Sequence, residues 1–354
     1  MLQTVGETKE IDRISALPDD LLITILDLVP TKDAVATMVL SKRWFYVWTM
    51  KQRLEYKDIE EKAVDSSSDD DDDDDDDDAD DDVYVFNYWD DGAAAAAAEP
   101  EHDEKVEVES KKSVWWFLEN SLQLHRAPII DSFCMELGPT CPTDAHVGKW
   151  VAYAVDRLVL DMKLNLLWSA EPTSLPKSLY SCEHLATLTL SNKILVDVPP
   201  SASLPSLTML ELYRVVYKDD DSLVRLLANC PVLERLLVIR TAEDDNVTSF
   251  RVQMPNLLYL SYNNCYRDSY GVGDTGRCLA IDTLALTFFR LYDTSGDSCS
   301  IEMPCLDTAI IDTGSYPDDK FVISLSSVVH LKLYLTPELV YISLIEDKDY
   351  QNIL

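Results

Sequence analysis

The side chains with the widest chemical repertoire in this sequence are five histidines and eight cysteines, and their spacing decides what they can do. His102, His125, His146, His184 and His330 share neither metal-ligand nor catalytic-triad spacing, so each is structural or solvated. Cys134, Cys141, Cys182, Cys230, Cys265, Cys278, Cys299 and Cys305 form no Cys-x-x-Cys pair and no Cys/His cluster at zinc spacing. Several adjoin apolar positions, which fits buried thiols in a reducing compartment. Gly271-Val272-Gly273 lacks a third glycine and a following helical pattern, so it is a loop and not a nucleotide-binding turn. No phosphate loop and no Gly-x-Ser-x-Gly elbow occurs. The run Asp69–Asp78 could attract calcium weakly, but it lacks the glycine turn and ligand order of an EF-hand and fits solvated chain better. These patterns point to no catalytic residue, no metal and no cofactor. The chemistry left to the chain is recognition.

Charge narrows what is recognised. The formal net charge is -34, and subtracting the thirteen aspartates of 69–78 and 80–82 still leaves -21. Such a surface repels phosphate backbones and anionic lipid, which excludes nucleic acid and membrane as partners and permits a basic protein. The N-terminus lacks the apolar run of a signal peptide, and no stretch approaches about 18 apolar residues. The expected location is the cytoplasm, the nucleus or both.

Three segments differ in pattern. Residues 8–56 are expected to form three helices. Leu17-Pro18-Asp19-Asp20 opens the first, with proline at a position whose N–H has no helical partner and aspartates at the positive end of the dipole. Leu21, Leu22, Ile25, Leu26 and Val29 follow at helical spacing, and Pro30 ends it. Thr31 can cap a second helix carrying Val35, Met38 and Val39, and Ser41 a third carrying Trp44, Val47 and Trp48. Residues 57–112 hold Ser66–Ser68, the Asp run, Ala93–Ala98 and an acidic stretch. Repulsion among adjacent carboxylates opposes compaction there, so a disordered linker is expected, with an apolar island at Val83–Trp89.

Residues 113–354 repeat the pattern apolar-x-x-apolar-x-apolar. The units are centred on Phe133, Leu158, Leu188, Leu210, Leu236, Leu260, Leu284, Ala309 and Leu331, at spacings of 25, 30, 22, 26, 24, 24, 25 and 22. All but one lie in the leucine-rich-repeat range of about 20–29 residues. Each unit contributes one strand whose alternate residues point inward, and no unit buries its apolar side without neighbours. An α+β chain is therefore expected: three helices, then an irregular α/β solenoid of horseshoe type. Trp115–Leu124 is an amphipathic helix suited to cover the first repeat, and Ser222 can cap a helix over Leu223–Leu227.

Ile14-Ser15-Ala16-Leu17-Pro18-Asp19-Asp20-Leu21-Leu22, then Pro30-Thr31-Lys32-Asp33-Ala34-Val35, then Leu40-Ser41-Lys42-Arg43-Trp44 resemble the successive blocks of an F-box. Leu175–Cys182 and Leu223–Val238, with Asn229-Cys230-Pro231-Val232-Leu233-Glu234, resemble the repeats of plant F-box proteins that carry leucine-rich repeats. The resemblance covers nearly the whole chain outside the acidic segment. It implies a non-catalytic substrate-recognition subunit of an SCF-type ubiquitin ligase, docked on a Skp-type adaptor and through it on cullin and RING subunits. Leu17, Pro18, Leu21, Leu22, Ile25, Val39, Trp44 and Trp48 would then contact the adaptor. Some of them must also supply the core of so small a unit, which is marginal without a partner. Many relatives carry a further FBD region. None is seen before Leu354, which suggests a truncated C-terminus.

By strand parity Asp161, Glu211, Tyr213, Tyr259, Thr287, Lys332 and Tyr334 point away from the core, where they would bind a protein target or simply pack across strands. A long acidic linker would loosen the geometry between the two ends. Two other readings stay open. One is an interaction scaffold that no longer recruits a ligase, and the other is an acidic binder of basic proteins through the Asp run.

Overall fold

The computed structural model describes residues 14, 16–57, 114–138, 144–167, 171–241, 247–265, 278–293, 298–313 and 319–335. The Asp run, the Val83–Trp89 island, Gly271–Gly273 and the end of the chain lie outside them.

The N-terminal helices are α1 (Asp19–Asp27), α2 (Thr31–Ala36) with a 3-10 turn at Thr37–Val39, and α3 (Lys42–Thr49). Leu22, Leu26, Ala34, Trp44, Val47 and Trp48 form their interior. Ser41 caps α3, its hydroxyl accepting from the Trp44 N–H at 3.4 Å. Thr31 does not cap α2. It is the first helical residue, and its hydroxyl accepts the Glu55 N–H at 2.7 Å.

That bond reveals an element the repeat pattern had missed. Strand β1 (Arg53–Lys57) follows α3 directly and pairs in parallel with β2 (Ser132–Leu137). The repeat sheet therefore begins ahead of the acidic segment, and the expected boundary at residue 56 falls inside its first strand. Residues 58–113 are inserted after β1 and do not stand between the N-terminal helices and the sheet. The pattern failed here because Lys51 occupies the first apolar position of the unit Lys51-x-x-Leu54-x-Tyr56.

Helix α4 (Val114–Leu124) packs beneath β1, with the Tyr56 hydroxyl 2.8 Å from that of Ser121. Helix α5 (Asp144–Val155) follows β2. The remaining strands of the main sheet are β3 (Asp161–Leu166), β5 (Thr187–Asn192), β7 (Met209–Tyr213), β9 (Arg235–Thr241), β11 (Tyr259–Cys265), β13 (Phe288–Asp293), β15 (Thr308–Thr313) and β16 (His330–Leu335). With β1 and β2 they form a ten-stranded sheet in chain order. Its pairs are all parallel. Short strands β4 (Thr173–Ser174), β6 (Ile194–Val196) and β8 (Val216–Tyr217) make one minor sheet. Strands β10 (Ser249–Gln253), β12 (Cys278–Asp282) and β14 (Ser298–Glu302) make another. Helices α6 (Asp221–Ala228) and α7 (Asp319–Ser324) and a 3-10 turn at Lys177–Ser181 complete the described elements. Ser222 lies inside α6, not at its cap, and its hydroxyl donates to Asp219 at 2.8 Å.

Two repeat units sit in a different register from the one expected. The third strand centres on Met162 and Leu164, which are fully buried, while Leu158 and Leu160 are exposed. Leu158 has φ 56°, a left-handed turn that ends the preceding helical stretch. Likewise Phe289 and Leu291 are the inward pair of β13, Leu284 is exposed, and Ile281 belongs to β12. The aligned inward residues are Phe133, Met162, Leu188, Leu210, Leu236, Leu260, Phe289, Ala309 and Leu331. Each side chain fully buried this way contributes about 1.5–3 kcal/mol relative to exposure.

At the third inward position, past Val238, Tyr262, Leu291 and Ile311, the core turns polar. Arg240, Asn264, Asp293 and Thr313 stand in register on β9, β11, β13 and β15, all buried. Arg240 donates to the Tyr262 hydroxyl at 2.9 Å and the Val247 carbonyl at 2.7 Å, and Asn264 donates to Asp293 at 3.2 Å. Buried charges survive only with such partners.

Candidate functional site

Two surfaces are candidates for contact with a partner. The first lies on the N-terminal helices. Helix α1 is apolar on two sides. Leu22 and Leu26 turn inward, while Leu21, Ile25 and Leu28, spaced four and three residues apart, stay outside at 48%, 41% and 79% exposure. Val39 and Leu40 in the turn before α3 are exposed as well, as is Ile14. A helix with a second apolar face has a partner for it or a cost in solubility. The segment before α1 is held by Arg43, whose guanidinium donates to the Leu17 carbonyl and, at 2.7 Å, to Asp19.

Of the residues expected to contact an adaptor, Pro18, Leu21, Ile25 and Val39 are exposed and Leu17 is half-buried. Leu22, Trp44 and Trp48 are not available. They are the interior of the helical unit, with Leu22 and Trp48 fully buried. Helical spacing shows that two apolar faces exist but not which one turns inward. Leu28 and Leu40 were missed, although Leu28 continues the Leu21–Ile25 stripe by one more turn.

The helical unit is locked to the sheet by polar contacts. Lys51, 1% exposed, donates to the Leu26 and Val29 carbonyls at the end of α1 and lies 3.8 Å from Asp27. Burial holds its ammonium below the usual lysine range. Asp27 accepts the Gln52 and Arg53 N–H groups at 2.8 and 3.1 Å. With the Thr31–Glu55 bond these contacts satisfy the outer edge of β1, which otherwise presents unpaired donors. Helix α4 packs on the first strand, as expected, while α1 and α2 cover its outer edge. His125 completes the junction. Its Nε2 donates to the Lys51 carbonyl at 2.7 Å, its Nδ1 lies 2.9 Å from the Tyr153 hydroxyl, and its ring packs against Trp48.

The second surface is the open face of the ten-stranded sheet. Three rows of side chains cross it in register. One runs Arg53, Ser132, Asp161, Thr187, Met209, Arg235, Tyr259, Phe288, Thr308, His330. The middle row includes Glu211, Leu237, Ser261, Arg290, Ile310 and Lys332, and the last Tyr213, Ile239, Asn263, Tyr292, Asp312 and Tyr334. Asp161, Glu211, Tyr213, Tyr259, Lys332 and Tyr334 thus lie on this face. Thr287 does not. The shifted register puts it just ahead of β13, where its hydroxyl donates to the Leu258 carbonyl at 3.1 Å. Phe288, Arg290 and Tyr292 take the positions assigned to its strand.

The face has two characters. Over its first strands charges cancel locally, Lys57 with Glu55 at 2.7 Å and Lys163 with Glu136 at 2.8 Å. The Ser132 hydroxyl donates to Asp161 at 3.2 Å, but burial is the larger influence and pushes that carboxyl above its usual range. From β7 onward the rows turn apolar and aromatic. Tyr259 and Phe288 stack at 4.7 Å and 3°, with the Arg235 guanidinium 5.0 Å over the Tyr259 ring. Thr189 donates to Glu211 at 2.8 Å, and burial, then the Glu211 carboxylate, raise the Tyr213 hydroxyl's pKa well above normal.

A parallel sheet built of stacked repeats and capped by helices defines a protein of the leucine-rich-repeat class. Residues 14–56 match the profile of the F-box domain, and residues 147–308 match one described as FBD-associated F-box protein At5g56370, LRR repeats. The chain is 52% identical over 334 residues to the FBD-associated F-box protein At1g05080 of Arabidopsis thaliana, over 93% of this chain and 65% of that protein. It is 44% identical over 359 residues to the F-box/FBD/LRR-repeat protein At1g22000 of the same plant, over 96% and 66%. A third Arabidopsis thaliana relative, the F-box/LRR-repeat protein At4g15060, is 34% identical over 348 residues, covering 93% and 68%. The chain belongs to the plant F-box/LRR-repeat family, and it spans about two thirds of the length of these relatives.

Proposed function

We propose that this chain is the substrate-recognition subunit of an SCF-type ubiquitin ligase, acting in the cytoplasm, the nucleus or both. The outer stripe of α1, Leu21, Ile25 and Leu28, with Val39 and Leu40, docks on a Skp-type adaptor, which carries the cullin and RING subunits. The open sheet face holds a protein target. The chain contributes no bond-making group. Its contribution is proximity, holding the target where another protein's active site can reach it. The observation that carries this reading is the second apolar face of α1, left outside the core in a segment that matches the F-box domain.

The test is capture of the chain by a purified Skp-type adaptor. Leu21→Asp/Leu28→Asp is expected to abolish capture while the far-ultraviolet circular dichroism stays unchanged, because neither side chain is buried. Capture undiminished by that pair would overturn the contact surface. No capture of the unaltered chain would leave the scaffold reading.

A further inference from the structure

We propose that the C-terminal half of the open sheet face binds an extended protein segment with carboxylates at every third residue and large apolar or aromatic side chains between them. This rests on the reading that the repeats hold a target, and it names the chemistry of that target. The first observation is a change in charge pairing. On β1–β3 the two lysines of the face are paired with neighbouring carboxylates, Lys57 with Glu55 and Lys163 with Glu136, and Arg53 alone stands outside an ion pair among the described residues. On the later strands the cations of the face are not paired. Among the described residues the side chains of Arg290 and Lys332 make no hydrogen bond or ion pair, and the Arg235 guanidinium lies on the Tyr259 ring with no carboxylate against it. The acids in the same rows, Glu211 and Asp312, are paired with none of them, Glu211 instead accepting from the Thr189 hydroxyl. A chain with net charge -34 thus keeps three cations outside any ion pair on the later strands of one face.

The second observation is their spacing. Arg235, Arg290 and Lys332 stand on β9, β13 and β16, each two strands from the next, with Arg290 and Lys332 in the middle row and Arg235 one row, two residues, away. Two strand separations are about 10 Å, and about 12 Å with that diagonal offset. Three residues of extended chain cover about 10 Å. A segment crossing the strands obliquely therefore meets Arg290 and Lys332 about three residues apart, and Arg235 about three to four residues from Arg290. Between the cations it meets the Tyr259–Phe288 stack and Ile310. Arginine offers a two-pronged donor to each carboxylate, and stacking on Tyr259 fixes the Arg235 fork in advance.

The experiment uses the full chain and fluorescence anisotropy with synthetic ten-residue peptides. One carries Asp at every third position with Phe, Tyr or Val between. A second has the same composition with the aspartates adjacent, and a third has Lys for Asp. The first is expected to bind about tenfold or more tightly than the other two, with affinity falling as salt rises. Arg290→Glu and Lys332→Glu should each weaken it about tenfold while adaptor capture is unchanged. Equal binding of the Lys peptide or the rearranged peptide, or indifference to both substitutions, would overturn the proposal. So would a tenfold gain in affinity on removing residues 58–112, which would assign the face to the chain's own acidic segment. Loss of adaptor capture by the unaltered chain would overturn the ligase reading and leave these binding results standing.

Discussion

Lys51 fills a position that the aligned repeats give to Ile, Val or Leu, and the exception is functional. Its ammonium caps the carbonyls that end α1, so one side chain closes a helix and seals a repeat. Lys51→Met would restore the repeat pattern but remove the ammonium from the Leu26 and Val29 carbonyls, leaving the Leu26 carbonyl only the Val29 N–H. We expect a loss of about 1–3 kcal/mol, read from urea denaturation, and an unchanged or raised midpoint would refute this role. His125 makes a second prediction. Burial, outweighing the Lys51 carbonyl bond, lowers its pKa from the ordinary 6.5. The unfolded chain then takes up its proton first as pH falls. His125 therefore contributes stability that is intact above about pH 6.5 and lost below it, down through its lowered folded value. Thermal melts between pH 7.5 and 5 should fall, and less steeply in His125→Gln. Residue identities foretold part of this surface. Leu21, Ile25 and Val39 were legible as apolar and helical. The burial of Leu22, Trp44 and Trp48 was not, because a short helix with apolar residues on both sides gives no local sign of which side meets its neighbours.

At the scale of elements, periodicity found the strands better than it found their register. Val155-x-x-Leu158-x-Leu160 and Val159-x-x-Met162-x-Leu164 overlap in one run, and only stacking on both neighbours selects the second. The spacing of 30 beside it was the one outward sign. At Ile281–Leu286 the competing pull is the minor sheet, which takes Ile281 into β12. The consequence is specific, for Arg290 joins the open face only in the observed register. The two sides of α1 give a further prediction. Leu22→Ala should cost about 2–5 kcal/mol through the cavity it opens, whereas Leu28→Ala should cost less than about 0.5 kcal/mol in the free chain and weaken adaptor capture. Denaturation and capture assays on the same pair separate packing from contact.

For the whole molecule, the main correction concerns where the acidic segment lies. Composition marks 57–112 plainly, and such a stretch between two recognisable regions is naturally taken for a tether. Nothing in the sequence around Lys51 announces a repeat, so β1 stayed hidden, and with it the direct attachment of helices to sheet. Because β1 is edge-capped by Asp27 and Thr31, the helical unit and the repeats should unfold in one transition. Replacing residues 58–113 by about seven Gly/Ser residues should preserve that and add about 2 kcal/mol, since an eightfold shorter loop costs less closure entropy. Separate transitions after the replacement would show that the segment does connect two independent bodies.

The position of β1 also sets a clock during synthesis. The ribosome delivers the helices and their edge strand first, and the strand's sheet neighbour, β2, is complete only at Leu137. At roughly 5–20 residues per second, that interval from Lys57 is about 4–16 seconds. Through it a nascent chain holds out both an apolar helix stripe and an unpaired strand, with a long run of like charge following close behind. Like-charge repulsion from a polyanionic stretch at that point opposes the approach of other nascent chains during the seconds when strand-to-strand misassembly is easiest.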